Sequence, residues 1–286
     1  MKHNSHALPV NGTRSGFSYF KNTRNCKRVV SKDTAVSLTS WLKTSPLFAF
    51  NLVNRDRWVA EQAARLPAGT LVLDVGAGSC PYRGYFAHCQ YQTQDFVALA
   101  PGQLRDGGYG QIDYICDAAS IPVAPTSFDA IVCAEVLEHV PEPVKVVHEF
   151  ARILKPGGKL ILTAPLGSGV HQEPHHYYGG YTEFWYRKFL SEAGFDHIVV
   201  EANAGSFLFY AQESIRFLRN TRPFALKMPL VAQLLWAPFW LLLLPILGAL
   251  VPVSGTLLDP FDREQRFTVG YHVTAIRAGS GTREVE

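Results

Sequence analysis

The chain has 286 residues, enough for one large α/β domain with an insertion or for two small domains, and its 27 basic and 24 acidic side chains leave a net charge of only +3. Apolar residues at 47% and aromatic residues at 12% exclude an intrinsically disordered chain. Five cysteines (Cys26, Cys80, Cys89, Cys116, Cys133) without a CxxC pair exclude a disulfide framework and a zinc site, and read as reduced cytosolic thiols.

The charge is unevenly spread. Residues 1–45 carry eight Lys or Arg (Lys2, Arg14, Lys21, Arg24, Lys27, Arg28, Lys32, Lys43) against one acid, Asp33, so the rest of the chain is net acidic. This start is rich in Ser, Thr and Asn and has neither apolar periodicity nor the apolar core of a secretory signal. It predicts a flexible arm on a cytoplasmic protein, able to touch anionic surfaces. With the basic residues concentrated there and no aromatic-basic stripe elsewhere, nucleic acid is disfavoured as a partner.

Leu47, Phe50, Val53, Trp58 and Ala64 recur at roughly helical spacing and predict a helix over 46–66, stopped by Pro67-Ala68-Gly69. Leu71-Val72-Leu73 then reads as a strand buried on both faces, ending at Asp74. Gly76 and Gly78 stand where a strand turns tightly and bare backbone can approach a ligand, and a helix over 82–88 is expected to follow. A dinucleotide fingerprint would need a third glycine, but Cys80 and Pro81 follow Gly78. The departure favours a ligand without a pyrophosphate. Further strands are predicted over 90–94, ending in Asp95, over 112–116, ending in Asp117, and over 128–134. Asp95 can accept from ribose hydroxyls, and Phe96 offers a wall for a purine. After a helix opening at Pro141-Glu142-Pro143 and a fifth strand over 159–164, the repeated strand-helix units argue for a doubly wound, mostly parallel α/β sheet.

DVGAGS, the acids Asp95 and Asp117, FDAIVCAEVLEHV and ARILKPGGKLILTAP stand in the order and spacing of the class I S-adenosylmethionine-dependent methyltransferases, which the chain resembles over roughly residues 47–202. The resemblance implies a seven-stranded Rossmann-like sheet with an antiparallel last strand, and S-adenosyl-L-methionine as cofactor. It further implies cofactor contacts at Asp74, Gly76, Ala77, Gly78, Asp95, Phe96, Asp117, Ala118 and Glu135, with Asp117 at the adenine amino group and Asp74 helping to shape the turn. YTEFWYRKFLSEAG, over 181–194, is similar to the family's next helix, and 195–201 to its sixth strand.

The loop PLGSGVHQEPHHYYGGY, over 165–181, carries His171, His175, His176, Glu173, Tyr177 and Tyr178 at the end of the sheet where substrates sit. His139, His175 and His176 are the candidate bases. Glu135, Glu138 and His139, spaced i, i+3, i+4, would share one face of a helical turn and could, with a loop histidine, hold a divalent metal. The pattern resembles that of ubiquinone-pathway and small-RNA 2'-O-methyltransferases. The preferred reading places Glu135 in the cofactor pocket, with Glu138 and His139 hydrogen-bonding around the helix start and no metal.

Residues 228–258 contain no charge, yet RFTVGYHVTAIR, over 266–277, alternates like a strand that must return to the sheet. A single membrane crossing would strand it on the wrong side. Pro238 and Pro245 therefore predict a re-entrant hairpin or interfacial segment in one leaflet on the cytoplasmic face, with a hydrophobic lid or dimer surface as the alternative. The expected organisation is a basic arm (1–45), a cofactor-binding domain (46–205), an apolar helical insertion (206–262) and a final strand (263–280). The expected activity is methyl transfer to a small-molecule or lipid-linked acceptor at oxygen. The alternatives are a soluble acceptor or nucleotide sugar, or a silent cofactor-binding module.

Overall fold

The computed structural model describes Ser45 and residues 48–279. The predicted basic arm, apart from Ser45, lies outside the described residues, as do Pro46, Leu47 and Ser280.

Helix α1 (Phe50–Ala64) leads into β1 (Leu71–Val75), β2 (Gln90–Asp95), β3 (Tyr114–Ile115), β4 (Phe128–Ala134), α2 (Pro143–Ile153), β5 (Leu154–Pro165), α3 (Glu183–Ala193) and β6 (Phe195–Ala202). After the insertion, β7 (Gly270–Arg277) returns to the sheet. The seven strands lie in the order β3-β2-β1-β4-β5-β7-β6. Strands β1 to β5 are parallel, and β7 runs antiparallel between β5 and β6. The order reverses between β1 and β4, which puts the ligand crevice at their carboxyl ends.

The pleat explains the apolar runs. Leu73, Ile131, Leu160 and Leu162 face Val146, Val147 and Phe150 of α2 and Tyr186 and Leu190 of α3. Val72, Ala130, Val132 and Ile161 face the other way, against Trp58, Val59 and Ala63 of α1 and against Tyr82 and Phe86. A strand covered on both sides needs apolar residues at successive positions. Helix α3 has a Thr182 side chain accepting from Trp185 N at its start and left-handed Gly194 at its end.

Three elements depart from the sequence expectation. Residues 82–88 form successive turns, not a helix, with Arg83 N donating to Cys80 O and Tyr85 N to Tyr82 O. Cys80 at φ 56° breaks the helical path, while Tyr82 and Phe86 still plug the sheet face. Strand β3 shrinks to two residues because the Asp113 carboxylate accepts from Thr93 N and its hydroxyl. Here a side chain substitutes for the ladder at a sheet edge.

The third departure is the insertion. Pro238 and Pro245 do not fold the apolar run back on itself. Helix α5 (Leu230–Pro245), a π-helical turn (Ile246–Leu250), α6 (Val251–Leu258) and a 3-10 turn (Asp259–Phe261) continue as one 32-residue helix, Leu230–Phe261. The π turn just beyond Pro245 accommodates the lost hydrogen bond. The hairpin forms instead with α4 (Ser206–Asn220), and the chain reverses over 221–229. Trp236 Nε1 donates to Thr221 O at 2.7 Å, Trp240 Nε1 to Leu218 O at 3.1 Å and Ser214 Oγ to Leu247 O at 2.9 Å. A Cβ on Gly255 would lie 2.8 Å from Phe207 O, so glycine permits this close crossing. At the base, Asp259 accepts from Gly205 N and Leu208 N, and Asp262 from Ser206 N, capping α4 from another helix.

Candidate active site

The glycine turn after β1 is held from β2. Gly76 N and Ala77 N both donate to Gln94 O, at 2.9 and 3.0 Å, and Gly78 N donates to Asp95 Oδ2 at 2.9 Å. The other Asp95 oxygen accepts from Val97 N at 2.9 Å. Gly76 and Gly78 have φ of 70° and 51°, and a Cβ on Gly76 would lie 2.3 Å from Val136 Cγ2. Both the conformation and the neighbour exclude a side chain there. Asp74 finds another partner: buried beneath the turn, it accepts a very short hydrogen bond from the Tyr91 hydroxyl. Burial pushes its carboxyl up to about 7 despite that bond. The turn is thus shaped by Gln94 and Asp95 more than by Asp74.

Above the strand ends lies a cleft of about 550 Å³. Asp74, Gly76, Ala77, Gly78, Asp95, Phe96, Asp117, Ala118 and Glu135 all line it, as do His139 and His175. Asp117 steadies its own turn by accepting from Ala119 N at 2.8 Å, and Gln94 Nε2 donates to Cys116 O at 2.6 Å. His176 is absent from the lining. Its Nε2 contacts Tyr178 O at 2.9 Å and its Nδ1 accepts from His171 N at 3.3 Å, so both ring nitrogens serve the loop.

Glu135 has a φ of 57° and turns into the cleft, where Thr163 Oγ1 donates to its Oε1 and Arg55 Nη1 stands 3.2 Å from its Oε2. Burial is the largest influence on Arg55 and disfavours its charge, but Glu135, Tyr82 and Asp56 together outweigh it and raise the guanidinium pKa. The Arg55 Nε is buried and finds no hydrogen-bond partner among the described residues. Sequence reasoning missed Arg55 and Arg105, since a cation on a helix or in a loop carries no motif. Arg105 forms a two-pronged pair with Asp56, tying the loop after β2 to α1.

The expected helical turn at Glu135, Glu138 and His139 is a 3-10 turn over Leu137–His139 only. Glu138 Oε1 and His139 Nε2 stay 3.6 Å apart, while Glu135 turns to Thr163 and Arg55. Glu138 is buried, and burial followed by repulsion from Glu135 drives its carboxyl well above the usual carboxylate range. Its main-chain oxygen accepts from Tyr177 N and Tyr178 N, tying down the loop. His139 Nδ1 lies 2.5 Å from His175 O, and burial lowers its pKa to about 4, leaving it neutral near pH 7. His139, His171 and His176 pack edge to face, with ring centroids 4.6 to 5.5 Å apart. Ligand-type atoms of Glu138, His139 and His171 lie within 4.8 Å of one another and could hold a metal ion. His175 turns the other way, edge-on to Phe96 in the cleft at 5.1 Å. Two amides clasp the roof: Gln103 Nε2 donates to Glu173 O and Gln172 Nε2 to Gln103 O.

Comparison with known proteins agrees with this geometry. A family described as a methyltransferase domain matches residues 73–162. The ubiquinone biosynthesis O-methyltransferase of Xanthomonas axonopodis pv. citri is 33% identical over 143 residues, covering 47% of this chain and 59% of that protein. That of Xanthomonas oryzae pv. oryzae is 39% identical over 127 residues, covering 41% and 51%. The chain thus spans about half the length of the curated relatives it matches. Phosphoethanolamine N-methyltransferase 2 of Haemonchus contortus, solved with S-adenosyl-L-methionine, aligns over 84% of this chain and 59% of that one, with 18% identity and a TM-score of 0.45. Residues 73–162 therefore match a methyltransferase domain, over the stretch that holds the glycine turn, Asp95, Asp117 and Glu135, and S-adenosyl-L-methionine is the cofactor such a domain takes.

Proposed function

We propose that this protein transfers a methyl group from S-adenosyl-L-methionine to an oxygen of a small, lipid-linked acceptor at the cytoplasmic face of a membrane. The observation that carries the transfer reading is the single cleft lined by the glycine turn, Asp95, Asp117 and Glu135, with His139 and His175 at its far wall. In this reading Asp95 has carboxylate lone pairs left for ribose hydroxyls after the bonds from Gly78 N and Val97 N. Asp117 takes the adenine amino group, and Phe96 covers the ring. The orphaned Arg55 Nε and its guanidinium suit the carboxylate end of the cofactor, beside Glu135.

When bound, the cofactor supplies a methyl group on a sulfonium, so the chain has only to hold an acceptor oxygen in line and take its proton. His175 is the favoured base because it lines the cleft and keeps its ring against Phe96. His139 fixes it by contacting its main-chain oxygen. The curated relatives are named as O-methyltransferases, which supports oxygen as the acceptor atom.

The membrane reading rests on the 32-residue helix. From Leu230 to Pro245 none of its residues is buried, and Val231, Leu235, Phe239 and Leu242 are each more than 60% exposed. A patch of this extent marks an interaction surface. Helix α4, carrying Glu213, Arg216 and Arg219, lies alongside it, so an upright hairpin would drag these charges into hydrocarbon. A helix lying along the surface avoids that cost and leaves the 165–181 loop, which faces α4, near the headgroups. Incubation with methyl-labelled cofactor and separated lipid and aqueous extracts tests the proposal. Label entering a lipid product is expected. Transfer only to the aqueous extract would contradict the lipid acceptor, and binding without transfer to either would contradict the enzyme reading.

A further inference from the structure

Gln94 stands one residue before Asp95 and is 1% exposed, an amide buried between strand ends. Its register partners on β2 are Val75 of β1 on one side and Tyr114 of β3 on the other. The side chain reaches both neighbours: Nε2 donates to Cys116 O at 2.6 Å, and Gly76 N, already bonded to the Gln94 main-chain oxygen, also approaches Oε1 at 3.4 Å. One partner only accepts and the other only donates, so the amide has a single orientation. The glycine turn and the end of β3 are thereby joined through one side chain.

The joint matters most on the β3 side. This strand is the outermost of the sheet, and only Gln94–Tyr114 and Asp95–Ile115 pair in its ladder. Side chains supply the remaining fastenings. Thr93 holds the entry to β3 through Asp113, and beyond Ile115 the chain is tied by Cys116 N donating to Asp95 O and by the Gln94 amide. Asp117, the next residue, is exposed, and its Oδ1 accepts from Ala119 N. A short edge strand with few buried contacts opens readily. The Asp117 carboxylate therefore keeps a fixed distance from the glycine turn only while Cys116 is tied down.

We propose that Gln94 is a positioning residue that holds Asp117 at the exocyclic amino group of the cofactor's purine, and so sets the selection of adenine over hypoxanthine. The assignment rests on the reading of the cleft in which Asp117 takes the adenine amino group, and Gln94 acts through Cys116. A purine with an oxygen in place of the amino group offers the carboxylate an acceptor where it needs a donor. A held Asp117 rejects that base, whereas a loose one swings aside and admits it.

Calorimetry of the full chain with S-adenosyl-L-homocysteine and with S-inosyl-L-homocysteine, the demethylated cofactor and its hypoxanthine analogue, reads the selection as a ratio of affinities. The wild type should favour the adenine compound at least about tenfold, the scale of one hydrogen bond to a charged group, and D117A should abolish the preference. Q94M, close in volume but unable to make either bond, should narrow the ratio to about threefold or less. A role confined to stability would weaken both compounds equally and leave the ratio as it was. Q94N carries the same amide on a stem one methylene shorter, too short to span Gly76 N and Cys116 O together, and should narrow the ratio likewise; it decides the question if circular dichroism shows Q94M unfolded. A folded Q94M or Q94N that keeps the wild-type ratio would overturn the role of Gln94 and leave the reading of Asp117 intact. No preference in the wild type, or one that survives D117A, would overturn that reading and the proposal with it.

Discussion

Asp95 is the residue on which the site turns, because its two oxygens hold the glycine turn and the start of the next loop through Gly78 N and Val97 N. D95A should weaken cofactor binding at least about tenfold, since it removes a buried acceptor from two donors. Gly76 admits no substitution, so G76A should lose cofactor binding or fail to fold, measured by calorimetry alongside circular dichroism. His272, on β7, gives a pH signature. It stacks on Trp58 at 4.8 Å, and burial, aided by nearby Arg55, lowers its pKa from the ordinary 6.5 to about 4. The unfolded chain takes up this proton first as pH falls, so stability present above about pH 6.5 is lost progressively toward pH 4, by at most about 3 kcal/mol. Urea midpoints across this range should fall less steeply in H272Q than in the wild type, and an unchanged slope would remove His272 from the account. Asp95, Asp117 and Glu135 were legible from their strand-end positions. Arg55 was not, because its importance comes from a carboxylate 80 positions later in the chain.

At the scale of elements, strands buried on both faces announced themselves by unbroken apolar runs, whereas α3 was reached through the resemblance over 181–194. The helix expected after the glycine turn failed because local pattern could not reveal that Cys80 takes a left-handed conformation or that Tyr82 and Phe86 are plugs for the sheet. The apolar helical insertion is present, but the hairpin expected within it is not. Pro238 and Pro245 looked like breaks, but α4 supplies a partner along the helix, and a π turn absorbs the local mismatch. The fold of the hairpin depends on its base. D259A removes the acceptor for Gly205 N and Leu208 N and should cost about 1 to 2 kcal/mol of local stability. Faster amide exchange at the start of α4, with β1 and β4 unchanged, is the expected readout.

For the whole molecule, the sheet, the cleft and the apolar hairpin meet around the loop between β5 and α3. The middle of that loop lines the cofactor cleft through Gln172, His175 and Tyr177, and its two ends, at 166–169 and 179–180, face Phe209, Glu213 and Arg216 of α4. The doubly wound order was readable because each strand-helix unit repeats the same punctuation, whereas the position of the apolar helix depends on contacts with α4 that no periodicity encodes. Everything nevertheless rests on the cofactor. Titration calorimetry of S-adenosyl-L-methionine into the wild type and D95A tests that foundation directly: the account predicts saturable one-to-one binding that weakens at least about tenfold in the variant, and absence of binding by the folded wild type, or equal binding by both, would contradict it.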